Sequence, residues 1–153
     1  MKNNQLMIYG AYGYAGELMV REAVAQGLRP IIAGRDDEKL KPIATELSLE
    51  CRAFGVRNTG SNLQDISVLL NCAGPFSATA EPLARACLAQ QIHYLDITGE
   101  IDIFRKCHAL DEEARQQNVL ILPGAGTDIV PTDCLAAMLK AVSYTHLRAH
   151  ETR

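Results

Sequence analysis

Three glycines, Gly10, Gly13 and Gly16, stand at equal spacing in the stretch IYGAYGYAGE. Residues without a Cβ at such spacing suit one chemistry, a turn whose backbone N–H groups approach an anion. Gly10 can take the tight turn. Gly13 lets the backbone close on a diphosphate, and Gly16 lets the next helix pack near the preceding strand. The first N–H groups of that helix, around Tyr14 and Ala15, would then point at phosphate oxygens. The spacing is GxxGxxG rather than GxGxxG, and either pattern carries weight only where a strand runs into a helix. QLMIY before the turn and YAGELMVREAVAQ after it supply that context.

A second chemical position follows in IIAGRDDE. A site for a dinucleotide with a free ribose 2′-OH usually places an acid at the end of the second strand. Here Gly34 and Arg35 come first, and the acids follow as helix starters. Arg35 is placed to pair with a 2′-phosphate through charge-assisted hydrogen bonds. The expected cofactor is therefore NADP(H).

These residues need a frame, and the rest of the chain supplies it. Short apolar runs alternate with helical stretches. The strands are QLMIY, PIIAG, ECRAF, SVLLN, IHYLDI and VLILP. The first helix is expected to bury Leu18, Met19, Val20, Ala23 and Val24, with Glu17 and Arg21 as an i,i+4 pair and Gly27 as its stop. DDEKLKPIATELS carries acids in its first turn, and Pro42 should kink or shorten it. RNTGSN reads as a loop. TAEPLARACLAQ should bury Leu83, Ala84, Cys87 and Leu88. DIFRKCHALDEEARQQ reads as one long helix with Ile103, Cys107, Leu110 and Ala114 on a stripe, and TDCLAAMLKA begins the last. Strand alternating with helix throughout implies an α/β fold: a doubly wound, Rossmann-type parallel sheet with helices on both faces.

Further motifs fall at the C-terminal ends of strands, where open parallel sheets bind ligands. They are NCAGPF, LDITGE and PGAGTDIVPTD. With GAYGYAG and AGRDDEKL, they resemble the NADP-binding domain of the saccharopine dehydrogenase-like reductases, from about Gln5 to Lys140. That family includes saccharopine reductase and trans-acting enoyl reductases. The resemblance implies a diphosphate turn of Gly10, Tyr12, Gly13, Tyr14 and Ala15, with Gly34 and Arg35 facing the 2′-phosphate. It also implies that Asn71, Cys72, Ala73, Gly74 and Pro75 line the cleft beside the nicotinamide-side ribose. It implies hydride transfer on a small-molecule substrate.

The resemblance names no catalytic residue. Asp96 and Glu100 could form an acid/base pair, but carboxylates at strand ends more often hold loops through backbone N–H groups. Asp133 reads as a helix N-cap or first-turn acid, and Asp128 stands where the chain departs from the family's usual Gly-Phe-Asp-Ser-x-Pro-Ser-Asp. His93 and His108 read as structural or surface residues. One rival is a short-chain dehydrogenase/reductase, suggested by NCAG, although its Tyr-x-x-x-Lys pair is absent here. Another is a non-catalytic NADP-sensing regulator on the same fold.

Composition narrows the field. The net charge is -3, aromatics make up 5% and Trp is absent. That leaves no basic footprint or stacking platform for nucleic acid and no basic surface for an anionic membrane. No apolar run spans a bilayer, and MKNNQLMIYGAYGYAGE is not a signal peptide. The five cysteines are odd in number and lack metal-site spacing, so no metal is expected and a reducing, cytoplasmic setting is. A homodimer stays open for the full-length protein.

The ending, VSYTHLRAHETR, departs from the pattern before it. Val142 to Thr152 matches the translation of a transposase-type sequencing adapter. Residues 1–141 are therefore expected to be the NADP-binding domain, cut short of its substrate domain, and 142–153 an adapter-derived tail. His146 and His150, four apart, then form no metal site.

Overall fold

A computed structural model describes residues 5–126 and 129–143. The strands are β1 (Leu6–Tyr9), β2 (Ile31–Gly34), β3 (Cys51–Ala53), β4 (Val68–Asn71), β5 (His93–Asp96) and β6 (Ile121–Leu122). The helices are α1 (Tyr14–Ala25), α2 (Asp37–Leu47), α3 (Phe76–Ala89), α4 (Ile101–His108), α5 (Asp111–Gln116) and α6 (Val130–Ser143), with one 3₁₀ turn at Gly60–Leu63. All six strands are parallel, in the order β3-β2-β1-β4-β5-β6. This is the doubly wound order, and its switch point lies between β1 and β4, where the chain reverses direction across the sheet.

The sheet is buried on both faces because successive side chains alternate. Met7 and Tyr9 of β1 pack with Leu83, Cys87, Ile103 and Leu110 on one side. Ile8 packs with Val20, Leu40, Ile43 and Ala44 of α1 and α2 on the other. No helix among the described residues is long and apolar enough to cross a membrane.

Several local expectations need correction. The buried stripe of α1 is Gly16, Val20 and Ala23, while Leu18 and Met19 are 53% and 37% exposed. Pro42 does not shorten α2, which runs on to Leu47 because Leu40, Ile43 and Ala44 anchor it on both sides of the proline. The side chain of Asp36 caps that helix, accepting the Lys39 N–H at 3.3 Å. RNTGSN is not wholly loop, since the 3₁₀ turn starts within it.

The third helix starts at Phe76, three residues before the expected Thr79, and its four expected core residues are buried. The expected long helix is two, α4 and α5. The Leu110 N–H reaches back only to the Cys107 carbonyl, a tighter i→i+3 bond that ends α4. Its apolar stripe survives the break, with Ile103, Cys107, Leu110 and Ala114 all at most 4% exposed.

Candidate functional site

A cleft of about 510 Å³ opens over the C-terminal ends of β1, β2, β3 and β4. Its walls include Gly10, Tyr12, Gly13, Gly34, Arg35, Cys72, Ala73, Gly74 and Pro75, so the structure gathers nine of the residues expected there. They come from three separate strand ends.

The glycine turn is built as its residue types require. Gly10 has φ +83°, and a Cβ on it would lie 2.7 Å from the Ala73 backbone nitrogen. The N–H groups of Gly10 and Ala11 both donate to the Ala33 carbonyl, and that of Gly13 donates to the Gly10 carbonyl. Gly13 is the N-cap of α1 and has no side chain to bond the first turn. The N–H groups of Tyr14, Ala15 and Gly16 are therefore the orphan donors of the helix start. Tyr14 itself is 87% exposed, and neither it nor Ala15 lines the cleft; only their free N–H groups stand at its edge, at the start of α1. Gly16 does not line the cleft. A Cβ there would collide with the Gly10 carbonyl, so this glycine sets the helix–turn approach.

Gly34 answers to Tyr12. A Cβ on Gly34 would lie 2.6 Å from the Tyr12 ring. Lys39 sits 5.7 Å from the centre of the same ring. Arg35 is exposed at the rim and, among the described residues, has no carboxylate partner. The wall beyond it holds Gly55 and Val56, to which the sequence pattern gives no role, and Arg57, which it places in the loop RNTGSN. The available signal was position, since they follow the third strand at its C-terminal end.

The loop after β4 forms the opposite wall, with a cis peptide bond between Gly74 and Pro75. Asn71 does not face the cleft. It is fully buried, donates to Thr79 Oγ1 at 3.2 Å and to Tyr94 Oη at 3.1 Å, and accepts the Ala73 N–H at 3.0 Å. Thr79 Oγ1 donates to the Ala73 carbonyl at 2.6 Å. Asn71 and Thr79 thus prop the loop from beneath. Burial, with a smaller contribution from Asp96, pushes the Cys72 thiol up to about 12. It is a neutral wall residue rather than a nucleophile.

Asp96 is fully buried. One carboxylate oxygen accepts the N–H groups of Thr98 and Gly124 at 3.0 and 2.9 Å, and the other accepts the Tyr94 hydroxyl at 2.9 Å. It ties the loop after β5 to the loop after β6, which is structural work. Burial first, and Asp96 next, raise the Tyr94 hydroxyl above the usual phenol range. Glu100 is exposed and lends only its backbone as the N-cap of α4. Asp133 lies in the first turn of α6, and Asp128 falls outside the described residues. His93 Nδ1 accepts the Leu120 N–H at 3.0 Å, a structural bond.

A turn in which Gly10 and Gly13 carry no Cβ, the orphan N–H donors of α1, and Arg35, without a carboxylate partner among the described residues, together fit an anionic dinucleotide. Residues 6–122 match the family described as the saccharopine dehydrogenase NADP binding domain. The chain belongs to this family. A saccharopine dehydrogenase-like oxidoreductase of Rattus norvegicus is 27% identical over 152 residues, spanning 84% of this chain and 35% of that protein. A putative trans-acting enoyl reductase of Mycobacterium tuberculosis is also 27% identical, over 84% of this chain and 33% of that one. The chain thus spans about a third of the length of the curated relatives it matches. Among solved structures, apo saccharopine dehydrogenase (L-Glu forming) of Saccharomyces cerevisiae superposes with a TM-score of 0.78 at 12% identity. That match covers 93% of this chain and 32% of the yeast protein. As a saccharopine dehydrogenase-type NADP-binding domain, the chain has the fold expected of it, and the cleft lies where that fold binds its cofactor.

Proposed function

We propose that this domain is the cofactor-holding part of an NADP(H)-dependent oxidoreductase acting at a C=N, C=C or C=O bond of a small molecule. The observation that carries the reading is Arg35, a cation with no carboxylate partner among the described residues, at the end of β2, where a carboxylate would select the 2′-OH. NADP(H), when bound, supplies or accepts the hydride.

This chain's residues hold and orient it. The orphan N–H groups of Tyr14 and Ala15, at the start of α1, meet the diphosphate, and Gly10 and Gly13 leave it room to approach. Arg35, beside Gly34, meets the 2′-phosphate. Cys72 to Pro75 shape the far wall, held in place by Asn71 and Thr79. In this reading 1–141 is the NADP-binding domain, 142–153 the adapter-derived tail, and the substrate-holding surface lies outside these residues. The reading needs no nucleic acid or membrane partner and leaves homodimerisation to the full-length protein. A cytoplasmic setting accords with five free cysteines, three of them buried.

The family match favours this reading over a short-chain dehydrogenase/reductase. Calorimetric titration of the chain with NADPH and NADH tests it. NADPH should bind more tightly, and equal affinities would overturn it.

A further inference from the structure

Arg57 lines the cleft, and the reading above gives it no task. Its position is tightly specified. The Phe54 N–H donates to the Gly34 carbonyl at 2.9 Å, so the end of β3 runs beside the residue that precedes Arg35. The Tyr9 hydroxyl holds the Phe54 carbonyl from below at 2.9 Å. The Asn58 N–H donates to the Gly55 carbonyl at 2.8 Å, closing a turn around Val56 and Arg57. On the far side of the loop, Arg52 Nη1 donates to the carbonyls of Asn62 and Gln64, both at 2.8 Å.

The two arginines of this segment differ in use. Arg52 is only 18% exposed and pairs with Glu50 while closing the loop. Arg57 is exposed and, among the described residues, has no carboxylate partner, as is true of Arg35. Two arginines thus line one cleft, and a single anion held there could accept from both. A phosphate monoester carries close to two negative charges and several acceptor oxygens, enough for two forked donors. Arg35 also acts on the cleft floor, since its charge offsets part of the rise that burial imposes on the Tyr9 hydroxyl.

We propose that Arg57 is a second anchor for the 2′-phosphate of NADP(H), so that two arginines from neighbouring strand ends set the cofactor preference. The inference rests on the proposed function. It adds a specificity residue that the end of β2 alone does not supply. Arg57 acts on binding and not on the reacting atoms.

The test is calorimetric titration of the whole chain and its R57Q variant with NADPH, NADH and adenosine 2′,5′-bisphosphate. R57Q should weaken NADPH and the bisphosphate by about tenfold or more, the cost of a lost charged hydrogen bond. NADH affinity should stay unchanged. Circular dichroism should show an intact fold, because the loop is held by Tyr9 and Arg52 and not by Arg57. R57K keeps the charge without the fork and should recover part of the loss.

Equal weakening of NADPH and NADH would overturn the inference, pointing instead to contact with the adenine. Unchanged NADPH affinity in R57Q would overturn it too. In either case, a retained NADPH preference in the unmodified chain leaves the proposed function standing. If the unmodified chain shows no preference, both fall.

Discussion

The Tyr9 hydroxyl donates to the carbonyl oxygen of Phe54 at 2.9 Å, across 45 positions of sequence. Their rings also meet, with centroids 5.1 Å apart. The pair joins the central strand to the edge strand directly beneath the cleft, so it fixes where Gly55, Val56 and Arg57 stand. Tyr9→Phe keeps the ring and removes the bond. Stability should fall by about 0.5–1.5 kcal/mol, read from urea unfolding. NADPH affinity should fall as well, because the loop carrying Arg57 loses its tether. Unchanged affinity at reduced stability would show that the loop is held without Tyr9.

Arg35→Ser should remove most of the preference for NADPH over NADH. The lost charged hydrogen bond is worth about 1.5–3 kcal/mol, or about tenfold to more than a hundredfold in affinity. Calorimetry with both cofactors reads the difference directly, and an NADPH affinity unchanged by the substitution would remove Arg35 from the phosphate site.

Gly13 and Gly16 should respond in different ways. A Cβ on Gly13 meets only the Gly10 carbonyl, at 3.2 Å, whereas one on Gly16 collides with that carbonyl. Gly13→Val should stay folded and lose NADPH binding, because the branched side chain fills the approach to the turn. Gly16→Ala should cost about 1–3 kcal/mol of stability, as overpacking does. Binding by a folded Gly13→Val protein would refute the turn assignment.

Alkaline pH should unfold the protein in a defined window. Burial pushes the thiols of Cys72 and Cys87 from an ordinary 9.0 up to about 12, and that of Cys107 up to about 11. Above pH 9 the unfolded chain releases these protons while the folded chain keeps them. Stability is therefore full below about pH 9 and falls as pH rises toward 11–12. Each thiol contributes a slope of about 1.4 kcal/mol per pH unit. Cys87→Ala should flatten the dependence of the urea midpoint on pH. An unchanged slope would show that Cys87 does not contribute.

Deleting Val142–Arg153 should leave the melting temperature and NADPH affinity unchanged within error, if those residues derive from an adapter. The last helix runs to Ser143, two residues into that segment, and residues 144–153 lie outside those described. A melting temperature lowered by several degrees would mean that the segment packs against the domain.

Sequence alone determined the layers and the cofactor class, and it pointed to the strand ends over which the cleft opens. Strand-length apolar runs and helical stripes are local patterns, and they report burial whatever the partner is. The glycine turn was legible for the same reason: Gly10, Gly13 and Gly16 are a contiguous signal on one strand–helix junction. Arg35 was legible because it directly follows the second strand.

Tertiary structure decided what depends on residues far apart in the chain. Asn71 reads as a cleft residue beside Cys72, but β4 pairs with β5 so that it meets Tyr94, 23 positions on, and turns inward. Asp96 reads as a candidate acid, but the Gly124 N–H, 28 positions away, claims its carboxylate. Arg57 reads as loop until β3 lies against β2 and brings it to the cleft that Arg35 also lines. Periodicity along a chain reports which face is buried, but it does not report which strand will lie alongside. A polar side chain near a strand end becomes a strut or a ligand contact according to that neighbour.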